Sequence, residues 1–120
     1  TCARLSTSTT NWLRMPNLVA VLTLKMEKDW LCLDRRTRQS YRTELDEIIA
    51  QHPRVLWRYC DSEALSGKYQ DFVLIEFSDI LDYHNLWESL RDHPVFSKPH
   101  FSVVSVQLGV ERPPLTEEAP

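Results

Sequence analysis

Arg58 and Glu76 stand out among the residues able to do chemistry, because each is a charge set among apolar side chains at strand spacing. Leu56 shares its face with Arg58, and Phe72 and Leu74 share theirs with Glu76. A charge on such a face is costly unless it is paired. One reading is a structural ion pair between the two. The other is a site in which Arg58 binds a carboxylate or enolate and Glu76, its pKa raised by burial, acts as base. Of the four histidines, His100 precedes an apolar strand and is placed to reach a cavity mouth, so it joins Arg58 and Glu76 as a catalytic candidate. His52 and His93 each precede a proline at a helix end and read as solvated or capping residues, and His84 reads as pointing outward.

Three further residues are candidates for ligand binding. Trp30 is a rigid aromatic after an apolar strand, suited to a flat ligand or to core packing. Tyr69 falls in a loop, where it could serve as a lid or hydrogen-bond donor. Arg35 opens the run Arg35, Arg36, Arg38, Arg42 near the start of a helix, where the macrodipole is already positive. Either acids such as Asp61 and Glu63 compensate this run or it binds an anion. Asp61, Glu63 and Ser66 otherwise read as turn formers, and Trp57, Tyr59 and Phe77 as core.

The remaining chemistry is bounded by what the sequence lacks. No histidine or cysteine spacing suits a metal, and nucleophile triads, HExxH and glycine-rich phosphate loops are absent. Neither a metal nor a cofactor is expected. The three cysteines, Cys2, Cys32 and Cys60, lie far apart. Their odd number fits a reducing, cytoplasmic setting, with buried inert thiols. A net charge of -3 offers no field for a nucleic-acid backbone. The longest apolar run, Leu18 to Leu24, falls far short of the roughly 20 residues of a membrane span.

These side chains need a scaffold, and its elements can be read from periodicity. Residues 1–16 form an N-terminal extension rich in Ser and Thr, set apart from a domain at 17–109 and a polar tail at 110–120. Asn17 to Met26 alternates as a strand, with Leu18, Ala20, Leu22, Leu24 and Met26 on one face and Val19, Val21, Thr23 and Lys25 on the other. Asp34 caps a helix to about Gln51, with Tyr41, Leu45, Ile48 and Ile49 as its stripe. Arg54 to Asp61 and Asp71 to Phe77 are strands joined by a long loop through Gly67. Asp79 starts a helix with the stripe Tyr83, Leu86, Trp87 and Leu90, closed by Pro94, and Phe101 to Leu108 is the last strand.

The order βαββαβ fits an α+β, ferredoxin-like arrangement, a four-stranded antiparallel sheet with two helices on one face. The other face would carry Val19, Val21, Leu56, Phe72, Leu74, Phe101 and Val103 beside Thr23, Arg58, Glu76, Ser105 and Gln107. An uncovered apolar face of that size marks an interface or a ligand cavity, and pairing in a two-fold homodimer would cover it.

From Arg58 onward the run Arg58-Tyr59-Cys60-Asp61-Ser62-Glu63-Ala64-Leu65-Ser66 resembles the darcynin family. Ser78 with Asp79, Tyr83, Leu90-Arg91-Asp92, Pro94-Val95-Phe96, Phe101 and Glu111 extend the likeness. Earlier, Trp30-Leu31, Leu33 and Arg35-Arg36 also match, so the likeness spans about Leu18 to Glu111. Leu65, where the family usually has an aromatic, and Gly67 to Gln70 depart from it. The resemblance implies a dimeric α/β-barrel type of protein and leaves the activity open. Relatives of that broader class include cofactor-free monooxygenases, polyketide cyclases and isomerases, and ligand-sensing modules.

Two functions follow as expectations. The first is a cofactor-free cyclase, isomerase or monooxygenase acting on a small aromatic or polyketide-like molecule in specialised metabolism. The second is a non-catalytic dimeric module with a ligand-binding, regulatory or structural role. A pocket with a convergent acid and base would favour the enzyme, and a pocket without one would favour the binding module.

Overall fold

The computed structural model describes residues 17–112. The N-terminal extension at 1–16, Cys2 and the tail beyond residue 112 lie outside the described residues.

Alternation is what the backbone follows. β1 runs from Leu18 to Met26, β2 from Leu56 to Cys60, β3 from Gln70 to Phe77 and β4 from Phe101 to Val110. They form one antiparallel sheet in the order β2-β3-β1-β4, and the long β1 and β3 lie at its centre. Two helices of several turns cross it: α2, Arg35–Ala50, and α4, Ile80–Leu90. Three single-turn helices, α1 at Lys28–Leu31, α3 at Glu63–Ser66 and α5 at Pro94–Ser97, fill the connections. The architecture is ferredoxin-like, with βαββαβ order once those single turns are set aside.

Helix starts are fixed by short acidic side chains. Asp34 accepts a hydrogen bond from the Thr37 amide at 2.7 Å, and Asp79 accepts from the Leu81 amide at 2.9 Å. His93 caps α5 through Nδ1, which accepts from the Val95 amide at 3.1 Å, with Pro94 at the first helical position. α4 buries Leu86 and Leu90 completely, whereas the α2 stripe of Tyr41, Leu45, Ile48 and Ile49 is half-buried against the core. That core is the helix side of the sheet: Ala20, Leu22 and Leu24 of β1 with Val73, Ile75 and Phe77 of β3, joined by Trp30, Val55, Val95 and Phe101. Each fully buried Leu or Ile contributes roughly 1.5–3 kcal/mol.

β4 departs from simple alternation. Thr23 pairs with Ser105 but Leu24 pairs with Val103, so Val104 is an extra residue and the parity of the strand changes there. Phe101 and Val103, expected on the uncovered face, consequently lie on the helix side; the Phe101 ring sits 4.8 Å from that of Trp30. Past the bulge, Val106, Leu108 and Val110 share the side of Leu22, Ala20 and Leu18 but remain exposed. The strand also runs through Gly109 to Val110, because β1 continues to pair with it at Val19 and Leu18.

The β2–β3 connection, expected as an open loop, contains α3 and ends it on Gly67 at φ 71°, the left-handed conformation a glycine adopts without strain. The expectation of buried thiols does not hold: Cys32 is exposed and Cys60 half-buried, and both are free. Among the described residues no helix is long and apolar enough to cross a membrane.

Candidate functional site

The side of the sheet away from the helices is built from the other parity. Val19, Val21 and Thr23 of β1 stand beside Glu76, Leu74 and Phe72 of β3, then Leu56, Arg58 and Cys60 of β2 and Ser105, Gln107 and Gly109 of β4. No described helix packs over it. At the β1–β4 end a recess of about 500 Å³ is lined by Val19, Val21, Glu76, Gln107, Gly109, Val110 and Glu111. Its floor is aliphatic, and Glu76, only 8% exposed, is held between Val19 and Leu56 on the neighbouring strands.

Arg58 lies on the same face, opposite Leu74 and therefore diagonal to Glu76, and is exposed. No ion pair joins it to Glu76, so the expected structural pair does not form; the ion pairs between Lys or Arg and an acid among the described residues are Arg54–Asp82 and Arg91–Glu88. The face thus offers an apolar seat, two carboxylates, Glu76 and Glu111, in the wall of its recess, and a cation farther along it.

The remaining candidates lie elsewhere. His100 is 1% exposed and packs on the helix side, between Trp30 at 6.0 Å and Tyr41 at 5.6 Å. It does not reach the mouth of the recess as expected, because it precedes β4 and its ring packs between Trp30 and Tyr41. Burial, then the charge of Lys98, holds its imidazole below the usual range, with Asp29 opposing them. Its Nδ1 is buried without a hydrogen-bond partner. Trp30 belongs to the same aromatic cluster and to the core. His93 completes the cluster, 5.3 Å from Tyr41. Because its Nδ1 accepts from Val95, the ring proton sits on Nε2, which donates to Glu44 Oε1 at 2.8 Å. Tyr69 is exposed at the loop end of β3, and Arg35 lies on α2. The structure therefore brings Arg58 and Glu76 to one face and leaves Trp30, His100, Arg35 and Tyr69 away from it.

One residue of consequence escaped the sequence reading. Asp71 is 4% exposed and accepts from the Ser62 amide at 2.8 Å, the Glu63 amide at 3.2 Å and the Tyr59 hydroxyl. Burial, followed by the hydrogen bond to Asp71 and its charge, pushes the Tyr59 phenol above its usual range. The carboxylate ties α3 to the sheet. An acid at an inward parity, opposite Leu24, was the available signal. Ser66 Oγ donates to the Ser62 carbonyl at 2.8 Å, the turn-forming role expected of that cluster.

No protein-family model matches the chain. A curated protein named Darcynin from Chromobacterium violaceum is 33% identical over 64 residues, which cover 53% of this chain and 81% of that protein. Darcynin 1 from Acinetobacter baumannii is 28% identical over 82 residues, covering 68% of this chain and 91% of that one. Among solved structures, chlorite dismutase from Candidatus Nitrospira defluvii in complex with imidazole superposes with a TM-score of 0.72 at 16% identity, over 88% of this chain and 44% of that one. An arginine-to-lysine mutant of the same dismutase gives 0.71 at 16% identity over 93% and 48%. This chain spans less than half the length of those dismutases, and at such identity the likeness is one of fold alone.

Proposed function

The chain belongs to the darcynin family, and on that premise we propose that it is a homodimeric protein that binds a small, largely apolar molecule on the helix-free face of its sheet. The observation that carries this reading is the recess of about 500 Å³ on that face, aliphatic in its floor and holding Glu76 at 8% exposure. A site with an apolar body and one or two placed polar groups is the ordinary form of a small-molecule pocket. A ligand with a hydroxyl or amine aimed at Glu76 and an aromatic or polyketide-like body fits it. A second copy, related by a two-fold axis, covers the face and closes the site. Free Cys32 and Cys60 suit a cytoplasmic protein.

A second reading is favoured by Glu76 itself. A carboxylate this buried beside aliphatic groups is placed to take a proton from a bound carbon or oxygen acid, as a cofactor-free cyclase, isomerase or monooxygenase of specialised metabolism would require. Arg58 on the same face would hold the resulting anion. The recess is lined mainly by aliphatic side chains with no histidine among them, and the binding role ranks first.

Light scattering together with a thermal-shift screen of aromatic and polyketide-like compounds tests both. The expected result is a mass of twice 14.1 kDa and saturable stabilisation by a compound that mass spectrometry recovers unchanged. Recovery of an altered compound, with the alteration lost in Glu76→Gln, would move the conclusion to the enzyme. A monomer that no apolar compound stabilises would overturn both.

A further inference from the structure

The N-terminal half of α2 concentrates positive charge where a helix start disfavours it. Its first turn has no acidic residue, although negative charge is what a helix start favours. Arg35, Arg38 and Arg42 recur at intervals of three and four, so they fall on one stripe with Gln39, where like charges repel. Among the described residues none of the three takes part in an ion pair. Asp61 and Glu63, the acids expected to compensate them, form no such contact with them.

These residues form a recess. A cavity of about 320 Å³ is lined by Arg35, Arg38, Gln39 and Arg42. Arg38 Nε is buried without a hydrogen-bond partner, a donor that the protein has removed from water and left unsatisfied. Arg42 is held with its guanidinium carbon 6.0 Å from the centre of the Trp30 ring, and Trp30 is buried in the core, so this cation rests on a fixed platform. The free amides of the helix are not the source of the site, since the Asp34 side chain already engages the Thr37 amide. Side chains supply it.

We propose that this recess binds a small anion carrying a phosphate group, such as a phosphorylated metabolite. An anion there would neutralise the stripe and give Arg38 Nε its acceptor. A tetrahedral dianion has oxygens enough for three guanidinium forks, whereas a single carboxylate satisfies one. The chain as a whole carries a net charge of -3, which favours a small ligand over an extended polyanion. The site lies on the helix side of the sheet and is independent of the recess beside Glu76.

The test is calorimetric titration of the full chain at low ionic strength with inorganic phosphate and phenyl phosphate, against malonate and chloride at matched ionic strength. Saturable binding of the phosphates is expected, weakened on the order of tenfold or more in Arg38→Gln and Arg42→Gln. Arg36→Gln, in the same turn but outside the recess, should leave binding within about twofold, the size of a diffuse, screened charge effect. In the absence of any anion, Arg38→Gln should raise Tm, because it removes repulsion and an unsatisfied donor; a merely structural arginine would lower it. Equal weakening by Arg36→Gln, malonate bound as tightly as phosphate, or no saturable binding would each overturn the proposal.

Discussion

The two faces of one sheet differ less in composition than in what lies over them. On the helix side Ala20, Leu22, Val73 and Ile75 are wholly buried. On the other, Val19, Val21 and Leu74, nearly as apolar, are only half-buried. Each face also holds an acid: Asp71, saturated by two amides and a phenol, and Glu76, set in the wall of a recess. Covering a face converts apolar residues into stability. The face that no described helix covers leaves such residues partly at the surface.

The largest effect that would break this comparison comes from neighbouring β1 residues. Leu22→Ala, which opens a cavity in the covered core, should cost about 3 kcal/mol in chemical denaturation and leave the oligomeric mass unchanged. Val21→Lys, one residue away on the other face, should instead convert the proposed dimer to monomer by light scattering. Similar behaviour of the two variants would count against the proposed pairing through the helix-free face.

Asp71→Ala sharpens the contrast between the two acids. It strips three donors of their acceptor and should cost about 2 kcal/mol, with hydrogen exchange quickened first at the Ser62 and Glu63 amides. Unchanged protection at those amides would remove Asp71 from its role as the tie between α3 and the sheet.

The smallest effect is a pH dependence confined to the covered side. His100 titrates below its ordinary value of 6.5 in the folded chain, so the unfolded chain binds more protons as pH falls from 6.5 toward that lower value. Its contribution to stability is present above 6.5 and is lost through that window. Denaturation midpoints should therefore drop between pH 7.5 and 5.5, and drop less in His100→Gln. Equal slopes in both proteins would assign the dependence to other groups.

Elements whose physics is local were legible in the sequence. The alternation from Leu18 to Met26, the stripe Tyr83, Leu86, Trp87, Leu90 and the caps Asp34 and Asp79 each follow from a few consecutive residues. Pairing between distant strands was not. The bulge at Val104 arises from how β4 meets β1, and nothing in Phe101 to Val110 announces it; missing it put Phe101 and Val103 on the wrong side. Asp71 likewise gains its role only when Ser62, Glu63 and Tyr59 are brought to it. Of the candidate site, the shared face of Arg58 and Glu76 was legible because strand parity is local. The absence of an ion pair between them depends on a diagonal offset that parity does not encode.

The bulge has one more consequence. Within residues 17–112, β4 has a neighbour on one side only, and its ten residues include no charge and no proline. Its outer rail of amides and carbonyls is a template on which any extended, uncharged segment could lengthen the sheet. Val104 interrupts that template: the local kink and added twist spoil the straight register that repeated stacking needs. A single surplus residue thus makes this edge a poorer template for repeated stacking.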